Sequence, residues 1–185
     1  MNPFVFLIQT IFDIYIAIVL LRFLLQMVGA DFYNPISQFI VKATQKPVVI
    51  ARRIIPSVRG LDIATLTLAL LLIFIETGIL QTLGTYSSSA ISLVFWSIHN
   101  FIQLIFNVFI FAIFIQALLS WVNPDPYNPV SAILGNLTWP VLRHVKKLIP
   151  PTGGFDFSPI IALIGLTFIK LSVLYVLNMF FRGIG

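Results

Sequence analysis

The chain has 185 residues, of which 59% are hydrophobic and only 9% are charged, and its mean hydropathy is +1.03. A soluble domain of this length needs far more polar surface to cover itself, so the composition excludes the soluble classes and predicts a membrane protein. Because cysteine is absent, disulfides, thiolate metal sites and cysteine nucleophiles are excluded as well.

Four stretches of the chain are long and apolar enough to cross a bilayer, which takes about 20 residues. They are Phe4–Val28, Leu61–Thr82, Ile91–Leu119 and Phe157–Phe181. The first stretch has no basic segment before it and outlasts the apolar core of a signal peptide, about 7 to 15 residues, so we expect it to stay in the mature protein. The sequence therefore predicts an all-α membrane protein with four transmembrane helices.

A spacing of 94 residues relates the two halves of the sequence. It superposes Tyr33–Pro35 on Tyr127–Pro129, and Asp62 on Asp156. Such repetition indicates one unit present twice, which we assign to residues 1–90 and 91–185. Each unit holds two spans and so enters and leaves the membrane in the same sense. The two repeats are therefore predicted to be parallel, about an axis along the membrane normal.

The positive charges lie between the two spans of each unit. They are Lys42, Lys46, Arg52, Arg53 and Arg59 in the first unit, and Arg143, Lys146 and Lys147 in the second. The termini and the segment between the units contribute only Arg182. Under the positive-inside rule, both basic loops face the cytoplasm and both termini face outside.

Each basic loop is predicted to form two short amphipathic helices in the cytoplasmic interface. The first begins after an asparagine N-cap, at Asn34-Pro35 and Asn128-Pro129, and the second begins at Pro47 and Pro140. An apolar stripe flanked by Lys and Arg is typical of a helix lying among lipid headgroups. The net charge of +5 thus predicts a membrane surface as partner and no nucleic acid.

We expect a basic face to form on these loop helices. Its members are Arg52, Arg53, Arg143, Lys146 and Lys147. One interpretation is anchoring on anionic headgroups, at about 1 kcal/mol for each charge. Others are a docking face for another membrane protein, with a homo-oligomer as one form of partner, and a specific headgroup site.

The spans contain a polar cluster of Asp13, Glu76, Asn107 and Lys170. The spacing of 94 places Glu76 and Lys170 at equal depth, so one account pairs them across the repeat axis, with amides bonding between helices. A second account has Asp13 and Glu76 line a cation or proton pathway, since charges inside a membrane are usually functional. Arg22, near the end of the first span, is expected to reach the headgroup layer.

No pattern of an enzyme is present, so we expect neither catalytic residues nor a cofactor. His99 and His144 fall on opposite sides of the predicted membrane, which argues against a metal site. The run Ser87–Ser89 reads as an outer turn, and the breaker cluster Gly153–Pro159 as the entry to the last span, with Asp156 or Ser158 as N-cap.

Four segments of the sequence resemble the YggT (YlmG-related) family of small bacterial membrane proteins. They are Asp31–Phe39, Ala51–Pro56, Ser120–Pro129 and Gly153–Pro159. The resemblance implies a location in the bacterial inner membrane and a role in osmotic or envelope stress, cell division or assembly of membrane complexes. It implies no enzymatic activity. The expected function is therefore a non-enzymatic scaffold or assembly factor in the osmotic or envelope stress response, with an ion channel or transporter component as the alternative.

Overall fold

The computed structural model describes residues 2–58, 60–86, 89–122, 128–148 and 156–182, without the side chains of Trp121 and Val122. These residues form six helices and no strand. They are α1 (Pro3–Met27), α2 (Pro35–Ile54), α3 (Ile63–Thr82), α4 (Ala90–Val122), α5 (Pro129–Leu148) and α6 (Ser158–Arg182). Arg59, Ser87 and Ser88 lie outside the described residues, as do 123–127 and residues 153–155 of the cluster 153–159.

The four predicted spans are confirmed as α1, α3, α4 and α6, all long and apolar enough to cross a membrane. Their ends agree with the predicted ends within three residues. α4 is the exception in length: at 33 residues it extends for about 50 Å, beyond the roughly 30 Å hydrocarbon core of a bilayer. All-helical architecture follows from composition because a backbone in lipid must satisfy its own hydrogen bonds.

The loop helices differ from the prediction, because each loop holds one continuous helix instead of two short ones. α2 runs through Pro47, and α5 runs through Pro140. A proline inside a helix removes one hydrogen bond and crowds the preceding turn, so other contacts must hold both sides of it together. In α2 these are fully buried Thr44 before the proline and Val48 after it, and α5 has buried Thr138 and Leu142 in the same places.

Both loop helices begin as the sequence predicts. The side chain of Asn34 accepts a hydrogen bond from the N–H of Ile36 at 2.9 Å, and that of Asn128 accepts one from Val130 at 2.8 Å. These caps satisfy one of the N–H groups that a helix start leaves free. Asn34 also reaches the neighbouring helix, donating from Nδ2 to the carbonyl of Pro129 at 2.9 Å. The starts of α2 and α5 therefore lie side by side.

The helices pack in an ordered series. α1 packs against α3, α3 against α4, and α4 against α6. α2 joins the end of α1 to the start of α3 and contacts both, and α5 does the same for α4 and α6. Within the described residues α6 contacts neither α1 nor α3. The series is therefore open at its two ends, α1 and α6.

Arg22 is predicted to reach the headgroup layer, and in the structure its side chain is buried against α2. Only 5% of the residue is exposed. Its guanidinium donates to the carbonyl of Val41 at 3.2 Å, the hydroxyl of Thr44 at 2.9 Å and the side-chain oxygen of Gln45 at 3.1 Å. A buried guanidinium needs many acceptors, and α2 supplies them. In the second half the spacing of 94 places Gln116 at this position, where it contacts the hydroxyl of Thr138.

Two ion pairs fasten the loop helices to the spans that follow them. Arg52 Nη2 lies 2.6 Å from Asp62 Oδ2, and Lys146 Nζ lies 2.9 Å from Asp156 Oδ2. Asp62 also accepts from the N–H of Thr65 at 3.3 Å, so it caps α3. Burial alone raises the pKa of the Asp62 carboxyl, but the hydrogen bonds from Arg52 and Thr65 outweigh burial and hold the pKa below its ordinary value.

The contact of Arg22 with α2 predicts unequal effects of two matched substitutions. Thr44→Val removes an acceptor from a buried charge, whereas Thr138→Val removes a partner of the neutral Gln116. We expect a loss of about 1.5–3 kcal/mol at Thr44 and about 0.5–1.5 kcal/mol at Thr138, since hydrogen bonds to charged groups are stronger. Unfolding of the purified protein in mixed micelles measures both. Equal losses would contradict the proposed importance of the charge.

The low pKa of Asp62 predicts the acid side of the stability profile. A carboxyl whose pKa is depressed in the folded state stabilises the fold above its unfolded pKa of about 3.9, and this contribution is lost as pH falls through the folded value. We expect the melting temperature in detergent to fall below about pH 4 and Asp62→Asn to flatten that fall. Asp31→Asn, which changes an exposed carboxylate, is the control and should leave the profile unchanged.

Candidate functional site: a cavity between the spans and a basic surface

A cavity of about 850 Å³ lies between α1 and α4. These two helices form its walls, and Glu76 of α3 also lines it. Residues of α2 and α5 close one end. It forms because α1 and α4 touch only slightly, while each packs closely against α3. The volume lies within the range of small-molecule sites, about 300–1,000 Å³.

The half of the cavity nearer to Tyr86 is polar. Three of the four residues predicted as an intramembrane cluster, Asp13, Glu76 and Asn107, line it together. They are joined by other polar side chains of α1 and α4, namely Gln9, His99, Asn100 and Gln103. Gln9 and Asp13 share one face of α1, and Gln103 and Asn107 share one face of α4, because residues four apart in a helix lie above one another.

The other half of the cavity is apolar. α1 and α4 line it with aliphatic and aromatic side chains, and α2 and α5 close it with a floor of aliphatic residues. The floor consists of Ile36, Ile40, Val130, Ile133, Leu134 and Leu137. No polar residue of the described chain lines this floor. The polar half therefore ends inside the molecule, against a hydrophobic layer.

The predicted pair of Glu76 and Lys170 does not form. Lys170 Nζ instead donates to Asn107 Oδ1 at 3.1 Å, and no described residue pairs with or donates to Glu76, which is 4% exposed. The reason is the order of the helices: α3 and α6 pack on different sides of α4, which separates the two charges. Equal depth in two parallel repeats, even where it holds, does not determine which helices are neighbours.

Aromatic side chains frame the polar end of the cavity. The rings of Tyr86 and Trp96 are stacked with centroids 4.7 Å apart, and Trp96 meets His99 edge to face at 5.1 Å. All three residues line the cavity. Sequence reasoning did not place them there, because Tyr86 lies in a connection whose path the helical periodicity does not set.

The predicted basic face divides into two kinds of residue. Arg52 and Lys146 are engaged in the ion pairs with Asp62 and Asp156. Arg53, Arg143 and Lys147 are exposed, and no described acidic residue pairs with them. The sequence contains a signal for these ion pairs, since the same spacing of 94 relates Arg52 to Lys146 and Asp62 to Asp156.

No group of three or more His, Asp or Glu side chains in the described part of the chain is close enough to hold a metal ion. His99 lines the polar end of the cavity, and His144 lies exposed on α5, with Nδ1 2.7 Å from the carbonyl of Pro140. The groups that line the polar half of the cavity are thus carboxylates, amides, an imidazole and aromatic rings, which can bind by hydrogen bonds and charge.

Comparison with known proteins identifies the family. The CCB3/YggT family model matches residues 1–83 and again residues 95–177. An uncharacterized protein of Pseudomonas aeruginosa is 42% identical over 172 residues, which cover 92% of this chain and 87% of the relative. YggT of Escherichia coli K12, also uncharacterized, is 35% identical over 181 residues, 97% of this chain and 89% of the relative.

A third relative, from Vibrio alginolyticus, is 39% identical over 170 residues, 91% of each chain. No solved structure matches the chain. The resemblance drawn from the sequence segments is confirmed by a family match that extends over most of both halves. The chain belongs to the CCB3/YggT family.

Proposed function

We propose that this protein is a non-enzymatic membrane scaffold or assembly factor of the bacterial inner membrane, serving in the osmotic or envelope stress response. The observation that carries the proposal is the paired layer of α2 and α5, which combines exposed cations with exposed apolar side chains. A layer of this kind is suited to binding a surface.

The layer is suited to the headgroup region. Beside the exposed Arg53, Arg143 and Lys147 stand large apolar side chains that the fold leaves uncovered. These are Phe39, Ile50, Ile54, Trp139 and Leu148, exposed by between 56% and 81%. Apolar groups that enter the lipid and cations that remain among the phosphates stabilise an interfacial helix together. The positive-inside rule then places this layer in the cytoplasm and the termini outside.

We further propose that the chain consists of two parallel units, residues 1–90 and 91–185. The proposal is supported by side-chain contacts, as well as residue identities, that recur at a spacing of 94 residues. The ion pair of Arg52 with Asp62 corresponds to that of Lys146 with Asp156. The threonine contact of Arg22 corresponds to that of Gln116. The two matches of the family model begin 94 residues apart as well.

A channel or transporter component is the second candidate, and one observation favours it: Asp13 and Glu76 line the same cavity. Two carboxylates that attract a cation are a usual element of a pathway. The aliphatic floor formed by α2 and α5 weighs against conduction, because an ion leaving the polar half would have to cross an apolar layer. Scaffolding is therefore the better-supported function.

The two kinds of basic residue provide a test of the scaffold. We expect the triple variant Arg53→Gln, Arg143→Gln, Lys147→Gln to lose about 3 kcal/mol of attraction to anionic lipid, at about 1 kcal/mol per charge. The double variant Arg52→Gln, Lys146→Gln should instead lower thermal stability, since it breaks both ion pairs. Quenching of Trp139, kept as the single tryptophan, by spin-labelled phosphatidylglycerol measures lipid contact directly.

In cells, the triple variant should abolish osmotic-stress tolerance at normal protein levels, while Asp13→Asn leaves tolerance intact. Growth at high osmolarity with quantified membrane protein measures this outcome. The scaffold proposal fails if the triple variant grows like the parent and Asp13→Asn does not.

Liposome flux tests the alternative. We expect purified protein in liposomes to pass no K⁺, Na⁺ or H⁺ above the level of empty liposomes, because the aliphatic floor closes the cavity. Flux that disappears in both Asp13→Asn and Glu76→Gln would establish the pathway instead. Leu137→Asn, which places an amide in the floor, is the positive control for a weakened barrier.

A further inference from the structure

The two units touch through counterpart helices, α1 with α4 and α2 with α5, but their most extensive contact runs in one direction only. α3 of the first unit packs against α4 of the second, but α6, the counterpart of α3, does not contact α1, the counterpart of α4. Likewise Asn34 donates to the carbonyl of Pro129, whereas among the described residues Asn128 makes no such bond to Pro35. A two-fold pair would show each contact twice. The units are therefore joined through unlike surfaces.

Each unit has both of the unlike surfaces, but only one surface of each unit is used in the contact inside the chain. The two unused surfaces lie at the ends of the series, on α1 and α6. Thr77 on α3 is fully buried, but its counterpart Leu171 on α6 is 60% exposed. Phe101 on α4 packs against the cluster that contains Ile73, but its counterpart Leu7 on α1 is 55% exposed. α1 thus carries a free counterpart of the surface that α4 presents to α3. α6 carries a free counterpart of the surface that α3 presents to α4.

The free surfaces carry opposite charges. α6 brings Lys170, the counterpart of Glu76, and α1 brings Asp13, the counterpart of Asn107. Lys170 and Asn107 are in contact and so lie at one level; in a parallel copy, Asp13 lies at that same level. Asp13 is exposed at the cavity in the single chain. An exposed carboxylate within a span calls for a partner group, because lipid offers none.

We propose that α6 of one copy packs against α1 of a second copy, as α3 packs against α4 within the chain, so that Lys170 faces Asp13 and the mouth of the cavity is covered. This inference rests on the two-unit organisation proposed above. Repetition of one heterologous contact closes into a ring or continues as a row. Two copies supply four units, so a dimer is the smallest ring in which every surface is used.

The second copy is favoured over a lipid or a different protein by continuity and charge. Both free surfaces belong to helices of span length, match surfaces already seen in contact, and differ in charge sign. Lipid chains would cover the apolar side chains equally well but would leave Asp13 without a cation.

Cysteine cross-linking tests the interface, and the chain has no cysteine of its own. Leu7→Cys and Thr167→Cys correspond to Phe101 and Ile73, which pack in one cluster within the chain. We place them on two differently tagged copies, co-expressed, and oxidise the membranes. A mixed covalent dimer is expected. Phe168→Cys in place of Thr167→Cys is the matched control, because its counterpart Phe74 is 42% exposed, and the dimer should be lost there.

Two further arms make the result decisive. Leu7→Cys alone should not cross-link, and a strong Leu7–Leu7 dimer would overturn the proposal in favour of a symmetric interface. Ile73→Cys with Phe101→Cys in a single chain tests the arrangement of the units; if this intramolecular bond forms while the mixed dimer does not, the dimer inference fails and the two-unit fold stands.

Charge exchange tests the contact of Lys170 with Asp13. We expect Asp13→Lys or Lys170→Asp alone to abolish the mixed dimer and the two substitutions together to restore it. A monomer at every protein-to-lipid ratio refutes the interface.

Discussion

The placement of α2 under the spans depends on the buried guanidinium of Arg22. A cation with 5% exposure needs acceptors, and α2 delivers three of them from one turn, at Val41, Thr44 and Gln45. The same turn precedes Pro47, so this contact also holds the helix on one side of its weakest point. Further along α2, Arg52 binds Asp62 and thereby sets where α3 begins. One buried charge thus positions the loop helix, and the loop helix positions the second span.

The cavity follows from this arrangement and not from any feature of α1 or α4 alone. Because α3 packs against both helices, it holds them apart at the level of Glu76, while α2 and α5 close the opposite end. The order of packing also decides which charges meet. α4 separates Glu76 from Lys170, so the lysine donates to an amide and the glutamate is left facing the cavity. The order of the helices thereby produces a polar site.

Sequence reasoning predicts this fold well wherever hydropathy and caps are the cause. Span length depends on bilayer thickness. Asn34 and Asn128 begin their helices because each side chain accepts a hydrogen bond from the N–H two residues further on, which is a local effect. It fails where the cause is a neighbour. Pro47 was expected to break a helix because its tertiary anchors at Thr44 and Val48 are invisible in a linear pattern. The clustering of Asp13, Glu76 and Asn107 could be predicted from depth and face, but the partner of Lys170 could not, since depth does not determine which helices touch.

The unused surfaces connect the two proposed functions. Asp13 and Glu76 resemble the start of an ion pathway when one copy is considered by itself, because no cation among its described residues pairs with them. If α6 of a second copy covers the cavity, Lys170 supplies the missing cation, and the same residues become the polar contact of an assembly within the membrane. Buried polar pairs of this kind specify which helices associate, even when they add little stability. The polar cluster then determines how copies associate side by side, while the basic layer of α2 and α5 remains free on the other side of the aliphatic floor to bind lipid or a partner.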